Sequence, residues 1–125
     1  MDAYVQQLLS RVDSDISYKL SRIRQATSLR EVASNRRADI PSAISAIARS
    51  QPAVRRLAND AERKAESLVD AQLAQLQNLT GDAFEQRLLF LREREWVHLR
   101  GNFPNLVSRV DQAVRRLKLE RQNNA

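Results

Sequence analysis

Residues 10–28 read SRVDSDISYKLSRIRQATS, with serine at 10, 14, 17, 21 and 28. At ~100° per residue these hydroxyls fall along one side of a helix. Serine competes for its own backbone and is a middling helix former, so helix stability does not explain a face lined with it. Arg11, Asp15, Tyr18 and Arg22 border the stripe on one edge, and Arg24 borders it on the other. Hydroxyls and guanidiniums are common donors to phosphate oxygens, and small side chains let a backbone or duplex lie close. Three readings fit: a helix laid against a nucleic-acid backbone, a solvated outer face, and a face packed on a neighbouring subunit. The first makes Arg11, Arg22, Arg24, Arg30, Arg36 and Arg37 the phosphate contacts, with Arg55, Arg56, Arg115 and Arg116 behind them. Ser14, Ser17 and Ser21 then supply close-approach donors, with Tyr18 beside them.

Catalytic chemistry finds few groups to work with. The chain has no cysteine and one histidine, His98, so thiolate and histidine-cluster metal sites are excluded. His98 has no nucleophile partner in a recognisable motif. Glu93 and Glu95 project in different directions on a helix and do not pair as acid and base. Both glycines, Gly81 and Gly101, stand alone, so there is no phosphate-cradling loop. The expectation is a non-enzymatic protein with no metal, no cofactor and no small-molecule substrate.

The net charge is +6, and its distribution is uneven. Residues 1–18 sum to −2, residues 19–37 to +5, residues 38–103 to zero and residues 104–125 to +3. The cations are 18 Arg against 3 Lys. Arg presents a planar fork that grips phosphate or carboxylate in bidentate fashion. A GC-rich coding bias gives the same ratio, so composition alone does not assign the arginines a role.

The elements that must position these groups are helical. With 42% hydrophobic residues, 2 Gly and 3 Pro, the chain has apolar content for a core and too few turn formers for a sheet protein. Val5, Leu9, Val12, Ile16, Leu20 and Ile23 recur near every 3.6 residues and predict one amphipathic helix over about 3–35. A short helix follows over 42–50, after Pro41. Pro52 suits a first helical position, and Val54, Leu57, Ala58, Ala61, Ala65, Leu68, Gln72, Leu76 and Leu79 trace a helix over 53–80. Gly81 is expected to close it as a left-handed cap, and Asp82 with Glu85 has capping-box spacing for a helix over 82–100, ended by Gly101. The last helix covers 105–122 and frays near RQNNA. The predicted architecture is all-α, one domain over residues 1–125: an elongated bundle or helical hairpin of about five helices, two of them long. No apolar run is long enough to span a membrane, and MDAYVQQLL lacks signal-peptide character.

Three local patterns add expectations. SLREVASNRRADIPSAISAI superficially resembles a helix-turn-helix, but its turn lacks Gly and only Ser42, Ser45 and Arg49 could reach base edges. LLFLREREWVHLR is apolar nearly all round at Leu88–Leu91, which predicts burial on more than one side, while RERE at 92–95 reads as an ion-paired surface patch. AVRRL occurs at 53–57 and again at 113–117, with two arginines flanking an apolar stripe each time; shared helix-friendly composition is the simpler account.

SRVDSDISYKLSRIR and the two AVRRL elements, in a small arginine-bearing helical chain, resemble the major coat proteins of filamentous archaeal viruses. In that family paired helical subunits wrap linear double-stranded DNA and hold it in A form. The resemblance implies a virion coat subunit, working as a homo- or hetero-oligomer with a second helical subunit. Its first helix and its basic last helix would face double-stranded DNA. Outside a virion the expected location is the cytoplasm. The alternative from the residues themselves is a helical protein–protein interaction module (adaptor, chaperone or regulator) that binds no nucleic acid.

Overall fold

A computed structural model describes residues 2–123, and among these residues there are six α-helices and no strand. They are α1 (Ala3–Gln25), α2 (Leu29–Ser34), α3 (Ser45–Arg49), α4 (Pro52–Gln77), α5 (Gly81–Phe90) and α6 (Pro104–Asn123). A 3-10 turn, Ser42–Ile44, leads into α3; a π-helical stretch, Leu91–Glu95, and a 3-10 turn, Trp96–His98, follow α5. The all-helical expectation holds, with six α-helices where about five were expected. Residues 124 and 125 of the expected frayed end lie outside the described residues; α6 itself continues to Asn123.

Length favours a single domain, but the chain divides into two compact units. Unit 1 holds the residues through Thr27 together with Glu31–Lys64; unit 2 holds Ser28–Arg30 and the residues from Ala65 onward. In unit 1, Leu8, Val12, Ile16 and Ile23 of α1 are buried with Val32, Ile44, Ala48, Leu57 and Ala61. In unit 2 the buried set runs through Val69, Leu76, Phe84, Leu88, Leu91, Trp96 and Phe103 to Leu106, Val110, Val114 and Leu117 of α6.

The first long helix is shorter than its periodicity suggests. Asp2 caps it, accepting from the Tyr4 amide at 3.0 Å. It stops at Gln25, where Ala26 turns extended (φ −63, ψ 136). Thr27 and Ser28 favour a helix start over a helix interior, and Ser28 stands three residues before Glu31, the capping-box spacing. The Thr27 hydroxyl donates to Glu31 Oε1 at 3.4 Å. Lys64 Nζ takes up the Arg24 carbonyl, freed by the break, at 3.1 Å.

The helix over 53–80 also ends early, at Gln77, and Gly81 is not its cap. Gly81 (φ 59) opens α5 after an extended Thr80. No capping bond from Asp82 closes that start; it lies in the first turn. A side chain terminates α4 instead. Arg121 of α6 donates to the carbonyls of Leu76 (2.6 Å), Gln77 (3.2 Å) and Leu79 (2.6 Å), and to Leu117 in its own helix (3.1 Å). Its guanidinium also lies over the Phe84 ring, 4.0 Å from the centroid. One planar fork thus serves three carbonyls at a helix end, of which Leu76 also accepts from the Leu79 amide at 3.1 Å. Ala58, placed on the apolar side by its spacing, is exposed, and Val69 takes a buried place.

The helix expected over 82–100 is not a continuous α-helix. It changes to π geometry at Leu91 and to 3-10 at Trp96 before Gly101 (φ 74) ends it, as the sequence suggests. The irregularity serves one buried network. Trp96 Nε1 donates to Gln72 Oε1 at 2.9 Å, and Gln72 Nε2 donates to Glu95 Oε1 at 2.9 Å. Glu95 and Trp96, adjacent in sequence at the end of the π stretch, thus reach the same amide. Leu88 and Leu91 are buried, but Leu89 and Phe90 are exposed, against the expectation of all-round burial; they lie off the face that 88 and 91 share. Arg87 covers the Phe90 ring at 5.3 Å. RERE is not ion-paired among the described residues, because Glu95 turns inward to Gln72.

Candidate nucleic-acid interface

In unit 1, α1 presents the hydroxyl line outward. Ser10, Ser14, Ser17 and Ser21 are all exposed, opposite the buried Leu8, Val12 and Ile16. Ser28 falls beyond the helix end and is not part of the line. Arg11, Arg22 and Arg24 are exposed along its two edges. None of the three has a carboxylate within 4.0 Å among the described residues. Tyr18, 63% exposed, stands between Arg11 and Arg22 on one edge. Arg22 and Arg24 occupy the last turn of α1, where cations also complement the helix dipole. The dipole does not account for Arg11, near the middle, or for the hydroxyls.

A lock of polar bonds, which the sequence reading missed, fixes the loop carrying Arg36 and Arg37. Lys19 Nζ lies 3.0 Å from Asp15 Oδ2 and 3.4 Å from Asp39 Oδ2, and donates to the Arg37 carbonyl at 2.7 Å. The Asp39 amide donates to Asp15 Oδ2 at 2.8 Å. The Lys19 and Asp15 side chains are 12% and 23% exposed, so their pair is partly shielded from bulk water, while Asp39 is exposed. Asp15 and Lys19 sit on the Arg11/Arg22 edge of α1, and the lock pins the loop there. Arg37 is exposed. Arg36 is half-buried; burial, and then the charge of Arg37, push its guanidinium below its ordinary pKa. The expected edge of Arg11, Asp15, Tyr18 and Arg22 thus loses its acid to an internal bond and gains the Arg36–Arg37 turn.

The remaining candidates lie elsewhere. Arg55 and Arg56 are exposed in the first turns of α4 in unit 1, and Arg56 Nε is 3.9 Å from Asp60. That pair is a loose, exposed one and holds Arg56 weakly. Arg30, on α2, and Arg115 and Arg116, on α6, belong to unit 2 and are exposed. The fourteen candidates therefore do not fall within one unit. The helix-turn-helix reading has no reading helix, since Ser42–Ile44 and Ser45–Arg49 are too short and irregular.

Two arginines that the sequence does not distinguish from the candidates are committed internally. Arg109 bridges Glu66 Oε1 and Asp70 Oδ1, each at 2.8 Å. The hydrogen bond it donates to Glu66, then the charge of Asp70, raise its pKa. Arg121 closes the end of α4. Neither is available to an external anion. No group of three His, Asp or Glu side chains suited to a metal ion occurs among the described residues, and no described helix is long and apolar enough to cross a membrane.

Neither a protein-family model, nor a curated protein, nor a solved structure matches the chain.

Proposed function

We propose that this chain is a non-enzymatic structural subunit that binds the phosphate backbone of double-stranded nucleic acid and coats it, as the resemblance to virion coat proteins implies. The observation that supports this is the outward side of α1: four exposed serines flanked by Arg11, Arg22 and Arg24, none with a carboxylate within 4.0 Å among the described residues. Small hydroxyls and arginine forks suit phosphate oxygens, while nothing on this side is shaped to read base edges. Binding is therefore expected to be indifferent to sequence and strongly salt-dependent. Coating further calls for a partner copy or a second helical subunit, and for a place in the virion.

A helical interaction module is the second reading. Leu89, Phe90, Val97 and Leu119 of unit 2 favour it, all exposed. Electron microscopy of the purified chain with and without linear duplex DNA separates the two. The coat reading expects regular filaments that need DNA and dissolve as salt rises. An adaptor gives neither, and the absence of any salt-sensitive DNA association refutes the coat reading.

A further inference from the structure

Unit 2 holds a groove of about 590 Å³ between the irregular stretch after α5 and one side of α6, within the roughly 300–1,000 Å³ usual for ligand sites. Four cations line it: Arg92 from the π-helical stretch, Arg100 beside Gly101, and Arg115 and Lys118 from α6. A single acid, Asp111, lines it with them. None of the four cations has a carboxylate within 4.0 Å among the described residues. The floor is apolar, with Val97, Val107, Val110 and Val114 beside Trp96. Val97 is 52% exposed at its surface. A second groove, on the other flank of α6, is lined by Arg109, which Glu66 and Asp70 already neutralise. The first groove gathers four cations without a carboxylate partner among the described residues over its apolar bed, against Arg116 in the second, and π-helical turns are frequent at functional sites.

We propose that this groove binds a small amphipathic anion, a single carboxylate or phosphate head on an acyl chain. The arginines and Lys118 take the head, and the valine floor takes the chain, with Trp96 packed beneath it. The α6 lining from Val107 to Lys118 runs about 16 Å at ~1.5 Å per residue, room for a medium-length chain lying extended. A nucleic-acid strand fits the groove less well. A phosphate backbone gains nothing from five apolar side chains, and Trp96, 7% exposed with its Nε1 held by Gln72, offers no open ring for a base to stack on. Arg115 is thereby assigned to this ligand and not to phosphate contacts along a duplex. The inference does not depend on the coat reading, whose variants lie in unit 1.

Trp96 is the chain's one tryptophan, so its fluorescence reports on the groove. Dodecanoate, kept below its micelle-forming concentration, is titrated into the full chain. Dodecyl maltoside serves as a neutral amphiphile with the same tail, and duplex DNA as a tail-free polyanion. The expected result is a saturable change with dodecanoate alone. Arg115→Gln with Lys118→Gln weakens it about tenfold, the loss of about 1.4 kcal/mol, with unchanged far-ultraviolet circular dichroism. Arg100→Gln, on the opposite wall, weakens it independently if the paired variant loses helix content. No saturable change with dodecanoate overturns the proposal. So does an equal affinity for dodecyl maltoside, or an equal response to duplex DNA that Arg115→Gln with Lys118→Gln removes.

Discussion

Replacing Arg22 and Arg24 with glutamate tests the α1 surface most directly. Four exposed guanidiniums lack a carboxylate within 4.0 Å among the described residues and lie on α1 or the loop locked to it: Arg11, Arg22, Arg24 and Arg37. If each neutralises one phosphate, the logarithm of the binding constant falls with the logarithm of salt at a slope of about −3.6. Between about 50 and 200 mM salt that is a loss of roughly 150-fold. The double variant retains two such cations, so its slope falls to about −1.8 and its loss over the same range to roughly 12-fold. Its affinity at low salt is lower as well, because two carboxylates now face the phosphates.

Fluorescence anisotropy of a labelled duplex of arbitrary sequence, measured at several salt concentrations, gives both slopes. The glutamates also oppose the dipole at the end of α1, at about 0.3–1 kcal/mol each. Arg22→Gln with Arg24→Gln separates that effect, since it should show the same reduced slope without the clash. A wild-type slope near zero refutes the assignment of this face to phosphate. A double variant that keeps the wild-type slope refutes the choice of residues.

Other consequences follow from the internal bonds. Arg121→Ala removes the guanidinium donor to the Gln77 and Leu79 carbonyls, one of two donors to Leu76, and the stack on Phe84, so unfolding by urea should show a loss of about 2–4 kcal/mol, part of which Arg121→Lys restores. Gln72→Leu orphans the buried Trp96 indole N–H; the expected loss is about 1–3 kcal/mol, with a shifted tryptophan emission. Lys19→Met removes the centre of the loop lock. Hydrogen exchange at the Asp39 amide should then accelerate, and DNA affinity should fall although none of the proposed phosphate contacts is changed.

Much of the helical layout is legible in the sequence because it rests on local rules. Asp2 caps α1, Pro52 and Pro104 open α4 and α6, and Gly101 ends the irregular helix, each as its backbone chemistry dictates. Two of the three failures turn on distant partners alone, and the remaining one adds a distant partner to a local signal. Apolar periodicity continues across residues 26–28, but the Ser28–Glu31 signal and a lysine forty residues away, Lys64, end the helix there. Gly81 looks like a cap for α4, yet the cap comes from Arg121, more than forty residues on. The π turn leads into Glu95 and Trp96, which both bond a glutamine on another helix, Gln72, and no window around Leu91 contains that partner.

The same distinction governs the site. The serine line follows from helical period alone. Which arginines remain available to a ligand depends on where the fold places the acids and orphan carbonyls. AVRRL shows this within one chain. In both copies the leucine is buried and the two arginines are exposed, so the pentapeptide builds the same local surface twice. Their surroundings then diverge. Arg56 meets Asp60 at 3.9 Å, Arg115 lines the cationic groove, and Arg116 lines the groove that Arg109 shares with Asp70. Seven residues before Arg116, Arg109 holds two carboxylates; five residues after it, Arg121 holds a helix end. A net charge of +6 therefore overstates what α6 can offer a polyanion. The first helix keeps its guanidiniums outward because its one neighbouring acid on that edge, Asp15, is bound to Lys19 and to the Asp39 amide. Loss of that lock would return a carboxylate to the edge between Arg11 and Arg22, which makes an acid–lysine pair facing inward a condition for phosphate binding on the outside.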